Sequence, residues 1–108
     1  MTLLELLTEA GEREAGAPLA GVSVSDDPSG GVTWDRVGRP FAMLSVDGLT
    51  AEFRLDPAVA AAALRTPDTK PSRRGPDWIS FRPEGLDGHA LDRAEAWFGS
   101  AWRRAEHP

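Results

Sequence analysis

The first hydrophobic residues of the chain repeat at the spacing of an amphipathic helix. The apolar face that this spacing predicts consists of Leu3, Leu4, Leu6, Leu7 and Ala10. The acidic residues Glu5, Glu9 and Glu12 fall on the opposite face. Thr2 stands three residues before Glu5, which is the spacing of a capping box at a helix N-terminus. We expect the helix to end within residues 11–16, where glycine recurs.

Residues 17–31 read APLAGVSVSDDPSGG, and turn-forming residues dominate this segment. The alternation from Val22 to Val24 inside it is compatible with an edge strand or with a loop, and both interpretations stay open.

A two-residue period then replaces the helical one. The runs VTWDRV (32–37), FAMLSV (41–46) and LTAEFRL (49–55) alternate as strands do. Asp47-Gly48 separates the second and third runs, and Asp-Gly is a strong hairpin-turn signal because both positions accept a positive φ. The pattern predicts three antiparallel strands in sequence.

The C-terminal half predicts a short helix, a loop, a strand and a long helix. Asp56 as N-cap and Pro57 in the first turn open a helix over Ala58–Arg65, and Thr66-Pro67 ends it. TPDTKPSRRGPD (66–77) is predicted as a loop and Trp78–Arg82 as a strand. The last helix, His89–Ala105, has an apolar stripe formed by Leu91, Ala94, Phe98, Ala101 and Ala105.

These elements follow one another in the order α-βββ-α-β-α. Such an order predicts an α+β fold, an antiparallel sheet of four to five strands with the helices packed on one face. The 108 residues suffice for a single domain covering residues 1–108. We expect its core to be filled by the aromatic residues Phe41, Phe53, Trp78, Trp97 and Phe98, with Trp78 at the centre of the sheet.

Composition removes several classes of chemistry. The chain has no cysteine and two histidines, His89 and His107, so thiolate sites and an all-histidine zinc centre are excluded. Hydrophobic runs are shorter than a membrane helix requires, and the N-terminus lacks the basic start of a secretory signal. We therefore expect a cytoplasmic protein with no membrane partner, no cofactor and no metal.

Positive charge is concentrated in one segment. The net charge is −5, yet residues 65–82 hold five basic and two acidic residues. Lys70, Arg73 and Arg74 lie within five residues, and Pro71 stiffens the segment that carries them. Such a cluster favours phosphate contacts, and Arg36 and Arg39 at the first hairpin would extend it. Three further interpretations stay open: solvated side chains, ion pairs with acids such as Glu84 and Asp87, and a protein partner.

Signals for catalysis are weak, and we expect no catalytic residues and no enzyme. His89 lies near Asp87 and Asp92 but has no nucleophile partner, which favours a surface histidine. The acidic series Glu5, Glu9, Glu12 and Glu14 is compatible with weak binding of a hard cation, but a solvated helix face explains it equally. The spacing of a nucleotide-phosphate loop is absent.

Three blocks of the sequence resemble the MmcQ/YjbR family of small bacterial α+β proteins. They are WDRVGRPFAML (Trp34–Leu44), Leu55-Asp56-Pro57, and Lys70-Pro71-Ser72-Arg73-Arg74 followed by Trp78 and a C-terminal helix with Ser100-Ala101-Trp102. The stretch over which the resemblance holds covers about two thirds of the chain. It implies a fold similar to frataxin and to double-wing DNA-binding domains, and DNA binding as an analogy of fold.

Two functions follow as hypotheses, both without catalysis. In the first, the chain binds DNA through the basic loop and hairpin tips, with Arg36, Arg39, Lys70, Arg73 and Arg74 on the phosphates. In the second, it binds a protein or small molecule in a groove between sheet and helices lined by Trp34, Trp78 and Trp102. A contiguous positive face would favour DNA, whereas Asp35, Asp47 or Glu52 on that face would favour the other partner.

Overall fold

A computed structural model describes residues 2–15, 22–26 and 31–105, with side chains over 2–11 and 31–105. The elements in chain order are α1 (Leu3–Ala15), β1 (Val22–Asp26), β2 (Val32–Arg36), β3 (Arg39–Leu44), β4 (Ala51–Arg54), α2 (Pro57–Ala63), β5 (Thr69–Pro71), β6 (Trp78–Phe81) and α3 (Gly88–Ala105).

The strands form one antiparallel sheet in the order β1-β2-β3-β4-β6-β5. The α+β class and the predicted order of the main elements are confirmed. Two short edge strands complete the sheet. The segment around Val22–Val24 is an edge strand, while β5 lies inside the segment predicted as a loop, because its three residues pair with β6.

The helices cover one face of the sheet, and the core lies between the two layers. The N-terminus of α1 is closed by the predicted capping box. The Thr2 backbone amide donates to Glu5 Oε1 at 3.2 Å, and the Glu5 amide donates to Thr2 Oγ1 at 3.1 Å. These bonds lower the pKa of the Glu5 carboxyl. Leu3, Leu6, Leu7 and Ala10 are buried, but Leu4, predicted on the same face, is 44% exposed because it lies at the edge of that face.

An aromatic cluster joins α3 to the sheet. The Phe98 ring makes edge contacts with Trp34 and Phe41, with centroids 5.8 and 5.2 Å away. Trp97 packs edge-on against Phe81 at 5.1 Å. The register of β2 and β3 passes from Trp34↔Ala42 to Asp35↔Pro40, which makes Phe41 the extra residue of a β-bulge. The bulge lets the adjacent Phe41 and Ala42 both be buried.

Trp78 is not a core residue, so that prediction is wrong. The register pairs Trp78 with Arg54 and Ile79 with Phe53. Because side chains alternate along a strand, Ile79 and Phe81 take the helix-covered face and Trp78 takes the opposite one. Ile79 and Phe81 are fully buried, whereas Trp78 is partly exposed.

Two turns with positive-φ residues, and one glycine that lies close to a neighbouring backbone carbonyl, determine the path of the chain from β2 to β4. Val37 and Gly38 have φ of 50° and 78°, so the β2–β3 turn has positive φ at both central residues. Gly48 takes φ 73° in the Asp-Gly turn that the sequence predicts. At Gly31, just before β2, an added Cβ would lie 2.3 Å from the Leu44 carbonyl oxygen, so no larger residue fits there.

Two aspartates open the C-terminal helices in different ways. Asp56 is the N-cap of α2, but its carboxylate caps no amide and accepts instead from Arg104 Nη1 at 2.7 Å. Asp87 caps α3 directly, since its Oδ1 accepts from the Ala90 amide at 2.8 Å.

Candidate ligand-binding site

The sheet face opposite the helices carries a row of polar side chains. The register places Met43, Glu52, Ser80 and Lys70 side by side on β3, β4, β6 and β5. The alternation that buries Phe53, Ile79 and Phe81 on the helix face brings Glu52 and Ser80 to this open face.

The KPSRR segment folds along this open face and is fixed by Glu52. The Ser72 amide donates to the Trp78 carbonyl at 3.1 Å, which extends the β5–β6 pairing by one residue. The Ser72 hydroxyl donates to Glu52 Oε2, and Arg74 Nε donates to Glu52 Oε1 at 3.0 Å. Arg74 also lies over the Trp78 ring, 6.0 Å from its centroid. One carboxylate on β4 therefore holds two residues of the basic segment.

This arrangement leaves a groove along the open face. Its larger part, of about 680 Å³, is lined by Glu52, Lys70, Pro71, Ser72, Arg73, Arg74 and Ser80. A second part, of about 410 Å³, is lined by Thr50, Asp68, Thr69, Lys70, Ser80 and Arg82. Lys70 and Ser80 belong to both parts, so we treat them as one open-face groove.

Four polar side chains of the open-face groove lack side-chain partners within the described part of the chain, namely Lys70, Arg73, Ser80 and Asp68. Lys70 and Arg73 are exposed, and neither forms an ion pair or hydrogen bond with a described residue. Ser80 is only 6% exposed, and its hydroxyl likewise has no partner in the described ranges. The Ser80 hydroxyl is not among the fully buried polar atoms of the described chain, so it is accessible from the groove and available to a ligand. Two cations and one hydroxyl are thus available to an anion.

The five predicted phosphate-contacting residues do not form one surface. Lys70, Arg73 and Arg74 lie together in the open-face groove. Arg36 lies on the helix side, where its guanidinium stands 3.7 Å from the Trp102 ring centroid and donates to the Trp102 carbonyl at 2.9 Å. Arg39 pairs with Arg36 across the hairpin. Three strand spacings separate β3 from β5, or about 14 Å.

The predicted groove between sheet and helices is absent from the described structure, because aromatic side chains fill that space. Trp34 is 1% exposed and packs on Phe98, so it is a core residue. Trp102 is covered by Arg36, and Trp78 lies on the opposite face of the sheet beside Arg74. The three tryptophans therefore do not line a common site.

Sequence reasoning missed Ser72, Ser80 and Arg82 as groove residues. Side chains alternate between the two faces of a strand, so placing Ile79 and Phe81 in the core would have put Ser80 and Arg82 on the open face. The wrong prediction that Trp78 is a core residue assigns the two faces the other way round. Arg74 is paired with an acid, as one alternative held, but the acid is Glu52 rather than Glu84 or Asp87.

A separate ionic cluster closes the end of the sheet nearest the α3 C-terminus. Asp77 accepts from Arg54 Nε and Arg104 Nη2, each at 2.9 Å, and Arg104 also contacts Asp56. Partial burial of Asp77 favours its protonated form, but the two arginines outweigh this and lower the pKa of its carboxyl. The same bond raises the pKa of Arg104. The charges of this cluster are paired with one another, although Arg104 Nε is buried without a hydrogen-bond partner, so the cluster joins α3 to the sheet.

The remaining candidates supply no site. His89 is exposed, and Asp87 serves as a helix cap. Within the described ranges no three His, Asp or Glu side chains are grouped to hold a metal ion. The side chains of Glu12 and Glu14, and His107, lie outside the described residues. None of the described helices has the length and apolar character needed to cross a bilayer.

No family model, no curated protein and no solved structure matches this chain. The assignment of a function therefore depends on the geometry of the open-face groove.

Proposed function

We propose that this chain is a non-catalytic binding module that holds a small molecule bearing a phosphate or carboxylate group in the open-face groove. The observation that supports this most directly is that Lys70 and Arg73, both without an ionic partner in the described chain, line one groove with the unpartnered hydroxyl of Ser80. Charge-assisted hydrogen bonds from two cations and one from a hydroxyl are a sufficient recognition set for one anionic group.

Charge placement favours a compact ligand over duplex DNA. A polyanion is bound by a continuous positive surface whose contacts release counterions. Here Glu52 lies among the cations and neutralises Arg74, while Arg36 and Arg39 stand apart from the groove. A ligand with one anionic group needs only the part of the groove around Lys70 and Arg73.

Membership of the MmcQ/YjbR family and a cytoplasmic location remain part of this proposal. Family membership rests on the three sequence blocks. The proposal moves the binding site from the helix side of the sheet to its open face, because the helix side is filled by the aromatic core.

Titration of ¹⁵N-labelled protein with inorganic phosphate at about 50 mM salt tests the proposal. We expect saturable amide shifts confined to residues 69–74 and 80–82. Lys70→Ala and Arg73→Ala should each weaken binding about tenfold, the effect of losing one charge-assisted contact. Arg65→Ala is the matched control, since Arg65 is exposed, lies outside the groove and has no partner in the described chain.

A parallel anisotropy titration with duplex DNA distinguishes the rival function. Binding of DNA that phosphate does not displace, with a salt slope of several units, would overturn the proposal in favour of DNA. Equal phosphate affinities for Lys70→Ala, Arg73→Ala and Arg65→Ala would overturn the assignment of the groove.

A further inference from the structure

We infer that the ligand of the open-face groove is a small zwitterion, in which a protonated amine accompanies the anionic group. This inference rests on the proposed function, because it assigns the anionic group to Lys70 and Arg73. What it adds is a second contact of opposite charge, the carboxylate of Asp68, in the part of the groove that extends toward Arg82.

Asp68 presents an uncompensated negative charge to the groove. Its side chain is exposed, lines the smaller part of the groove, and forms no hydrogen bond or ion pair with a described residue. Its backbone is held in place, since its carbonyl accepts from the Arg82 amide at 2.9 Å. Its φ of 66° is a left-handed backbone conformation at the residue directly before β5.

Arg82, one of the two cations that line that part of the groove, is already engaged. Arg82 Nη1 donates to Thr50 Oγ1 at 2.7 Å and approaches Asp47 Oδ2 at 3.4 Å. The same Asp47 carboxylate accepts from the Ser45 hydroxyl and the Leu49 amide, which lower its pKa together with Arg82. Arg82 is thereby directed to the β3–β4 turn, and Asp68 stays available to a ligand.

The spacing of the two contacts limits the ligand to a short molecule. Asp68 and Lys70 are two residues apart, so their Cα atoms are separated by at most about 7 Å. Lys70 and Ser80 line both parts of the groove and stand between the anionic and cationic contacts. A ligand whose phosphate or carboxylate contacts Lys70, Arg73 and Ser80 and whose amine contacts Asp68 uses every unpartnered side chain of the groove.

Two probes that differ in one amine test this inference. O-Phosphoethanolamine and ethyl phosphate share the phosphate and a two-carbon chain, but only the first carries a protonated amine at pH 7. We expect O-phosphoethanolamine to bind five- to tenfold more tightly by amide-shift titration. Asp68→Asn should remove that preference without weakening the binding of ethyl phosphate, because it takes a negative charge away from the groove, and Lys70→Ala should weaken both probes.

The variant is chosen to preserve the backbone, since asparagine tolerates a left-handed conformation as aspartate does. Equal binding of the two probes by the parent protein would overturn the zwitterion and leave the proposed function standing. A preference that persists in Asp68→Asn would overturn the role of Asp68. Absence of binding by both probes and by inorganic phosphate would overturn the proposed function itself.

Discussion

At the scale of single residues, two non-glycine residues hold a positive φ in the described structure, and they differ in what could explain this conformation. Asp68 is a residue type that accepts the left-handed region and lines the open-face groove. Val37 is β-branched, 81% exposed and lies in a hairpin turn remote from the groove. A β-branched residue in this region is strained, and no packing of Val37 compensates for the strain.

Relief of that strain should stabilise the protein. We expect Val37→Asn to raise stability by about 1 kcal/mol, because Asn-Gly is the favoured pair for a turn with two positive φ values. For a chain of this size the midpoint of thermal unfolding should rise by about 4–8 °C, measured by circular dichroism. Val46→Asn is the control, since Val46 is 73% exposed in a turn but is not among the residues with positive φ. An unchanged or lower midpoint for Val37→Asn would show that the turn is not strained by valine.

At the scale of elements, the sequence predicted the three helices and the strands β2, β3, β4 and β6, left β1 open and missed β5. The α1 capping box, the Asp-Gly turn and the apolar stripe of α3 are local patterns, and the structure has all three. The three-residue strand β5 has no pattern of its own and exists only through pairing with β6. The aromatic character of Trp78 predicted that its side chain is buried in the core. The strand register instead places Ile79 and Phe81 on the core side and Trp78 on the open face.

The corrected register makes a prediction about two aromatic residues. Phe98→Ala should cost about 3–5 kcal/mol, because it empties the fully buried space between Trp34 and Phe41. Trp78→Ala should cost clearly less, since the Trp78 side chain is partly exposed on the open face and packs with Arg74. Urea denaturation of both variants at pH 7 gives the comparison. Equal losses would mean that Trp78 lies in the core after all.

At the scale of the whole molecule, the charged residues that stabilise the fold are not the charged residues that we propose to bind a ligand. The ion pairs around Asp77 and Arg104 connect α3, β4, the start of α2 and the segment before β6. Lys70 and Arg73, which have no ionic partner in the described chain, lie instead in the open-face groove. Sequence alone located the positive segment but could not separate these roles, because partners such as Glu52 and Arg74 are 22 residues apart in the chain.

Acid should therefore destabilise the fold, with Asp77 as one identifiable contributor. Its pKa in the folded protein is lowered, so its stabilising effect is complete above the unfolded value of about 3.9 and is lost as pH falls through the folded value. Glu5 and Asp47 have lowered pKa values and contribute in the same direction.

We expect the parent midpoint of thermal unfolding to be nearly constant from pH 7 to pH 5 and to decrease below about pH 4. Asp77→Asn should cost about 1–2 kcal/mol at pH 7, because Arg54 and Arg104 lose a charged acceptor, and the difference from the parent should shrink as the pH falls below about 4. Asp92→Asn is the control, as Asp92 is exposed and has no ion pair in the described chain. A loss in Asp77→Asn that is the same at pH 7 and pH 2 would show that Asp77 acts through its shape and not through its charge.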